Sequence, residues 1–181
     1  MLILPRPEDK LFTTSFFRNL LGDKLSCDLF QRHRDTQSWK WEQEGGPADY
    51  EFAQLRIGTG NRIGLLLSLS GKVGQASLPN GIRASAPLYE IELKGQQPNR
   101  EFLRLREDLA HFRRTYQAAL STIMRNHEGI EELHLFPAIP APVGVACGQE
   151  LLPKVHPNVV IYDNVKGVFE YAITINSRED L

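Results

Sequence analysis

Two short loops carry residue types that could hold a phosphate-containing ligand. Ser70, Gly71 and Lys72 follow the apolar run 64–69 and offer a hydroxyl, a backbone without a side chain and one positive charge. The second loop, 137–142, reads PAIPAP and follows the apolar run 133–136. Pro142 suits the first turn of a helix, where free N–H groups attract anions. These loops predict phosphate binding by backbone amides, close-approaching small residues and one lysine.

The polar segment 32–49 adds aromatic rings to this chemistry. Trp39 and Trp41 sit two residues apart, so both rings would face the same side of a strand. Lys40 lies between them, and Arg32, His33 and Arg34 precede them. Aromatic faces beside basic side chains are a recurring way to hold a nucleobase and its phosphate. The alternative is that the two tryptophans simply cover the sheet.

The elements that must position these loops follow from hydrophobic spacing. Apolar runs and alternating apolar residues, bounded by turn residues, predict strands. They occur at 50–57, 64–69, 88–93, 133–136, 159–162 and 168–175. A helix over 143–152 would join two of them, so 133–162 is predicted to be a βαβ unit. Ligands of open α/β sheets bind beyond the carboxyl ends of the strands, which is where the loop 137–142 falls.

Two further helices are predicted from the spacing of apolar residues. Residues 11–31 show helical spacing that Gly22 divides into two short helices or one bent helix. The longest signal runs from Phe102 to Ile123, with apolar residues three or four apart. Asn99 is the expected N-cap of this helix, and the residues 127–129 are expected to end it. Its arginines share the surface with acidic residues, which favours a solvated face.

Composition limits the possible classes of function. The 181 residues support one domain or two small fused halves, and the net charge of -1 gives no basic field for a nucleic-acid polymer. The two cysteines are too few for a disulfide framework or a structural zinc site, so a cytoplasmic location is expected. No apolar stretch approaches the roughly 20 residues that span a bilayer.

The sequence also lacks the common catalytic patterns. Neither a P-loop nor a dinucleotide-binding glycine fingerprint is present. No carboxylate pair, Ser-His-Asp set or metal-ligand cluster occurs at usable spacing. We therefore predict no catalytic residue and no metal ligand, and we interpret the chain as a binding module and not as an enzyme.

Several of these stretches together resemble a known family. The resemblance rests on the apolar run and turn 65–71, the strand 89–93, three residues of the long helix, the stretch 134–148 and the strand 157–163. The three helix residues are Phe112, Arg113 and Tyr116. Over about residues 50–176 the sequence resembles the SAVED domain, the cyclic-oligonucleotide sensor of bacterial CBASS anti-phage systems.

The resemblance implies a fold and a partner. The fold would be α/β, with two fused Rossmann-like (CARF-like) halves, about 1–95 and 96–181, around a mostly parallel central sheet. The domain would bind a cyclic di- or trinucleotide and no other cofactor. Ligand binding would drive self-association and activate a fused effector, most similar to the HNH endonuclease type. DNA would be contacted only through that effector, which is absent from these residues, and no membrane would be involved.

The predicted ligand-binding residues combine the two loops with three aromatic side chains. They are Trp39, Trp41, Ser70, Gly71, Lys72, Pro137, Ala138, Pro140, Ala141, Pro142, Val143 and Tyr162. Tyr162 is expected to stack a base at the end of the next strand. Two alternatives stay open: an enzyme that cleaves its own cyclic ligand, using His33, His134 or Lys72, and a structural oligomerisation domain without a ligand.

Overall fold

Six strands form one sheet in the computed structural model, which describes residues 28–33, 35–152 and 154–176. The strands are β1 (Tyr50–Arg56), β2 (Arg62–Ser68), β3 (Leu88–Leu93), β4 (Glu132–Ala138), β5 (Asn158–Val165) and β6 (Val168–Ile175). The helices are α1 (Asn80–Arg83), α2 (Arg106–Asn126) and α3 (Ala141–Gln149), and Gln75–Ser77 forms a short 3-10 turn. The predicted helix at 11–31 lies almost entirely outside the described residues.

The spatial order of the strands is β1-β3-β2-β4-β5-β6. The four central strands, β3, β2, β4 and β5, pair in parallel, whereas β1 and β6 pair antiparallel at the two edges. The sheet is therefore mixed, and its parallel part is confined to the centre. Residues 1–95 contribute β1 to β3, residues 96–181 contribute β4 to β6, and β2 and β4 join the two sets directly.

Both faces of the sheet are covered, which explains the continuous apolar runs of the central strands. Alternate residues of β2 point to opposite faces. Leu65 and Leu67 belong to a large core beneath α2 and α3, and Leu66 belongs to a smaller core beneath the segment 73–86. All three leucines have no exposed surface. The segment 73–86 contains the 3-10 turn and α1.

Strand β4 continues two residues further than predicted and includes Pro137 and Ala138. A proline is unusual in a central strand because it cannot donate to the ladder. The pairing of β4 with β5 ends at Leu135, whereas its pairing with β2 continues to Ala138. The backbone hydrogen-bonding groups of successive strand residues point to alternate neighbouring strands, and those of Pro137 point towards β5. Its missing N–H therefore falls where the ladder has already ended.

Helix α2 begins later than the apolar spacing predicted. Its N-cap is Leu105 and not Asn99. The carboxylate of Asp108, which is 1% exposed, accepts hydrogen bonds of 2.7 Å from the N–H groups of Arg104 and Leu105. Phe102 is buried in the core from the non-helical segment before the helix. The spacing of Phe102 from the later apolar residues is helical, although Phe102 itself does not lie in a helix.

No helix in the described ranges is long and apolar enough to cross a membrane.

Candidate functional site

The two predicted loops lie side by side at the centre of the sheet. The chain leaves β2 towards β3 on one side and later returns to β4 on the other side, so the strand order reverses between β2 and β4. Such a switch point leaves a crevice at the carboxyl ends of the two strands. The N–H groups of Leu69 and Ser70 donate hydrogen bonds of 3.2 Å and 2.7 Å to the carbonyl oxygen of Ala138. The juxtaposition of Ser70 and Ala138 is thus built into the backbone.

A third segment reaches the same edge, and the sequence interpretation missed it. The connection 94–105 follows the carboxyl end of β3, and the N–H of Asn99 donates to the carbonyl of Leu69 at 2.9 Å. The parallel strand pattern could have revealed this, because the carboxyl ends of parallel strands share one edge. Asn99, expected to cap a helix, instead holds the end of β2.

Lys72 is engaged by two carboxylates that the sequence interpretation did not connect with it. Its Nζ lies 2.9 Å from Glu90 Oε2 and 2.6 Å from Glu92 Oε2. Glu90 is 2% exposed, and its other oxygen accepts a 2.5 Å hydrogen bond from the hydroxyl of Ser68. The Ser68 hydroxyl in turn accepts from the N–H of Val73 at 3.0 Å. This network attaches the turn, which contains Ser70, Gly71 and Lys72, to β3.

The network changes the electrostatics expected of this loop. Partial burial lowers the pKa of Lys72, but the hydrogen bonds to Glu92 and Glu90 outweigh it, and the pKa is raised. The ammonium therefore stays charged at neutral pH. One positive charge faces two carboxylates, so the cluster as a whole carries no free positive charge. Lys72 can contact a phosphate with its remaining donor hydrogen or by exchanging one of these partners.

Helix α3 begins at Ala141, two residues before the predicted start at 143, and it offers fewer free donors than expected. Pro140 is the N-cap and Pro142 lies in the first turn, where its missing N–H breaks no hydrogen bond. The N–H groups of Val143 and Gly144 both donate to the carbonyl of Pro140, at 3.1 Å and 3.2 Å. The N–H groups after Pro142, expected to bind an anion, are thus already used. Ala141 supplies the remaining N–H of this turn.

The small residues of α3 serve packing against the sheet. Gly144, Cys147 and Gly148 line a cavity of about 20 Å³ together with apolar residues of β4 and β5. That volume is enough for about one water molecule and not for a nucleotide. Burial raises the pKa of the Cys147 thiol well above its ordinary value, which disfavours the reactive thiolate.

The two tryptophans do not lie on a strand, so the predicted alignment of their rings is wrong. Their segment reaches the carboxyl edge of the sheet, because Tyr50 at the start of β1 pairs with Leu93 at the end of β3. Trp39 is 50% exposed. Trp41 packs against the large core, and its Nε1 donates to the carbonyl of Leu29 at 3.1 Å. Only Trp39 keeps a mostly free ring.

A groove of about 480 Å³ lies between this segment and the start of α2. Its lining combines aromatic, polar and charged side chains, among them Phe30, Trp41, Gln43, Arg106 and Glu107. It is larger than the cavity beneath α3, and it does not include the loop residues 70–72 or 137–143.

Tyr162 faces the interior of the protein. Its ring stacks on Phe136 at 4.6 Å between centroids, and its hydroxyl forms a 2.9 Å hydrogen bond with His134 Nδ1. The residue is 8% exposed and lies within β5, three residues before its end. Tyr162 is therefore held in the smaller core beside Phe136, the residue before the loop 137–142, and its ring is not free to stack a base.

The two histidines considered for cleavage of a ligand are both buried. His134 is four residues before Ala138 in β4, which places it roughly 13 Å further down the strand. Its Nε2 lies 3.1 Å from Glu132 Oε2. His33 is buried, with its ring edge-on to Trp41 at 6.2 Å. Within the described parts of the chain, no three His, Cys, Asp or Glu side chains could hold a metal ion together.

The strand order and the two touching loops define a mixed α/β domain with a switch point between β2 and β4. Residues 19–175 match the SAVED family, the SMODS-associated and fused to various effectors sensor domain. The chain therefore belongs to this family. No curated protein matches the chain in sequence.

Solved structures support the fold. The chain is similar to the Cap4 SAVED/CARF-domain containing receptor of Acinetobacter baumannii with the cyclic trinucleotide 2'3'3'-cAAA, at a TM-score of 0.56 and 19% identity over 76% of this chain. The same receptor with 3'3'3'-cAAA gives 0.51 and 20% over 76%. The Moraxella osloensis Cap4 receptor gives 0.53 and 16% over 93%. The chain spans only 29% of the A. baumannii receptor and 35% of the M. osloensis receptor.

Proposed function

We propose that this chain senses a cyclic di- or trinucleotide second messenger at the carboxyl edge of β2 and β4. Ligand binding then drives self-association and activates a fused effector nuclease, of the HNH type, in cytoplasmic anti-phage defence. The observation that carries the proposal is the double hydrogen bond from Leu69 and Ser70 to Ala138. It holds the two loops together at the switch point, where folds of this class bind ligands.

Each predicted half contributes one loop to this edge in the proposed site. The half 1–95 supplies Ser70, Gly71 and Lys72, and the half 96–181 supplies the turn into α3. Gly71 opens onto space in which an added methyl group would meet nothing within 4 Å. A backbone without a side chain lets a phosphate or a sugar approach closely. The Ala141 N–H lies at a helix N-terminus, whose dipole favours an anion.

The family supplies the chemical class of the ligand. It is described as a sensor domain, and the similar A. baumannii receptor holds cyclic trinucleotides in two structures. Trp39 has half of its surface exposed, so its ring is free to stack a base. Trp41 and Tyr162 are engaged by the core and by neighbouring rings, so we give them a supporting role.

A thermal-shift panel tests the proposal. The chain is mixed separately with cyclic di- and trinucleotides, including 2'3'3'-cAAA and 3'3'3'-cAAA, and with linear triadenylate as a control. A ligand at about 100 times its dissociation constant should raise the free energy of unfolding by about 2.7 kcal/mol. Light scattering of the same mixtures should show a larger particle only with the stabilising ligand.

The panel also separates the alternatives. If no cyclic nucleotide shifts the unfolding transition, the sensor proposal is wrong and a structural oligomerisation domain becomes the better account. If a ligand binds and chromatography of the mixture shows a linear product, the chain is an enzyme that cleaves its ligand. The position of His134, roughly 13 Å down β4 from Ala138, and the burial of His33 favour an intact ligand.

A further inference from the structure

Glu92 lies at a position from which a doubly wound sheet can contact a ribose. It is the second-last residue of β3, and β3 pairs in parallel with β2, the strand that leads into the Ser70-Gly71-Lys72 turn. In the register of these strands Glu92 lies opposite Ser68. Dinucleotide-binding folds place an acidic residue about 20 residues after their glycine-rich turn, where it accepts a hydrogen bond from a ribose hydroxyl. Glu92 follows Gly71 by a similar number of residues.

The two carboxylates beside Lys72 differ in what they can still bind. Glu90 is 2% exposed and bonds to both Ser68 and Lys72, so it belongs to the support of the loop. The side chain of Glu92 is 31% exposed, and its Oε2 bonds to Lys72. Among the described residues, the other oxygen of Glu92 has no hydrogen-bond partner. Glu92 is therefore the carboxylate of this cluster that is open to a ligand.

A carboxylate beside a phosphodiester needs a nearby cation, and Lys72 supplies it. The Lys72 side chain is 55% exposed, and its Nζ lies 2.6 Å from Glu92. An ammonium has three donor hydrogens, so it can keep Glu92 and Glu90 and still donate one bond outward. The ion pair can then accept a hydrogen bond from a sugar hydroxyl and donate one to the adjoining phosphate. Each nucleotide unit of the proposed ligand offers these two groups.

We infer that Glu92 accepts a hydrogen bond from a free ribose hydroxyl of the cyclic nucleotide and thereby selects ribonucleotide over deoxyribonucleotide ligands. This inference rests on the proposed function and adds to it the ligand group that Glu92 recognises. A hydrogen bond to a charged acceptor contributes about 1.5 kcal/mol or more. Loss of the hydroxyl should therefore lower affinity by roughly tenfold or more.

Paired probes test the inference by isothermal titration calorimetry. Each 3'–5'-linked cyclic ribonucleotide of the panel, beginning with 3'3'3'-cAAA, is compared with its fully 2'-deoxy analogue. In such a ligand the free hydroxyl is the 2' one. The wild-type chain should prefer the ribonucleotide by roughly tenfold or more, and Glu92→Ala should bring the ratio of the two affinities close to one. Glu170→Ala is the matched control, because Glu170 is an exposed strand residue four strands away.

The ratio separates recognition from support. If Glu92 only positions Lys72, its removal weakens both members of a pair by the same factor and leaves the ratio unchanged. Unfolding midpoints of both variants show that the fold is retained. A wild-type chain that binds a pair equally, or a Glu92→Ala chain that keeps the full preference, overturns this inference alone. A wild-type chain that binds no cyclic nucleotide overturns the proposed function and the inference with it.

Discussion

The N–H of Ser70 donates a 2.7 Å hydrogen bond to the carbonyl oxygen of Ala138. This bond joins the loop after β2 to the last residue of β4 across the point where the strand order reverses. It forms between backbone atoms of the chain itself. Loops that are joined in this way need less ordering around a ligand, which lowers the cost of binding.

Gly71→Ala tests whether a ligand approaches the first loop. The added methyl group meets nothing within 4 Å in this structure, and Gly71 is not in the left-handed region, so the free energy of unfolding should change by about 0.5 kcal/mol or less. A phosphate or sugar at that place would collide with the methyl group. We expect affinity for a cyclic nucleotide to fall by roughly tenfold, as measured by calorimetry. Gly81→Ala, which is equally open, is the control and should bind like the wild type.

Lys72→Ala should weaken binding and flatten its dependence on salt, because a phosphate contact by an exposed cation is screened by ions. Removing Lys72 also leaves the buried Glu90 without its cation, so a modest loss of stability should accompany the loss of affinity. The measurement is the dissociation constant at about 50 mM and about 300 mM salt. Lys154→Ala is the control, since this residue precedes β5 at the opposite edge of the sheet. If the dissociation constant depends on salt equally in the wild type and in Lys72→Ala, Lys72 does not contact the ligand.

The strands and the βαβ unit could be predicted because their signals are local. The run 88–93 is apolar on alternate positions and is bounded by turn residues, and the observed strand β3 confirms it at both ends. Pro142 likewise marks the first turn of α3 through its own geometry. Such features need no knowledge of distant residues.

The contacts that define the edge could not be predicted in the same way. Glu90 and Glu92 reach Lys72 only after β2 and β3 pair in parallel with a particular register. The burial of Tyr162 depends on Phe136 in the neighbouring strand. Phe102 shows the opposite error, since its spacing mimics a helix that begins after it. Tertiary pairing decides all three cases, and the ligand-binding residues themselves stay a prediction.

The two tryptophans should respond differently to truncation. Trp41 packs against the core and donates to Leu29, so Trp41→Ala should destabilise the fold by roughly 2 kcal/mol. Trp39 is half exposed, so Trp39→Ala should leave stability nearly unchanged and weaken binding by the roughly 1–3 kcal/mol of one stacked base. Urea unfolding and calorimetry of both variants measure the two effects. Full affinity in Trp39→Ala would show that this ring does not stack on the ligand.

The stability of the fold should fall as the pH drops below about 6.5, and His134 should account for part of that loss. Burial lowers the pKa of His134 below its ordinary value of 6.5, although the carboxylate of Glu132 acts in the opposite direction and Arg62 adds to the lowering. Its other neighbour is the hydroxyl of Tyr162, which is uncharged in this range. The unfolded chain therefore takes up a proton near 6.5 that the folded chain resists, and protonation favours unfolding.

The contribution of His134 is fully present above pH 6.5 and decreases towards its lower folded pKa. The measurement is the free energy of unfolding in urea at about pH 7.5 and about pH 5.5. His134→Gln, which cannot take up a proton in this range, should show a smaller difference between the two conditions than the wild type. Burial also lowers the pKa values of His127 and His156, so a residual slope is expected in the variant. An unchanged slope in His134→Gln would show that this histidine has the same proton affinity in the folded and unfolded chain.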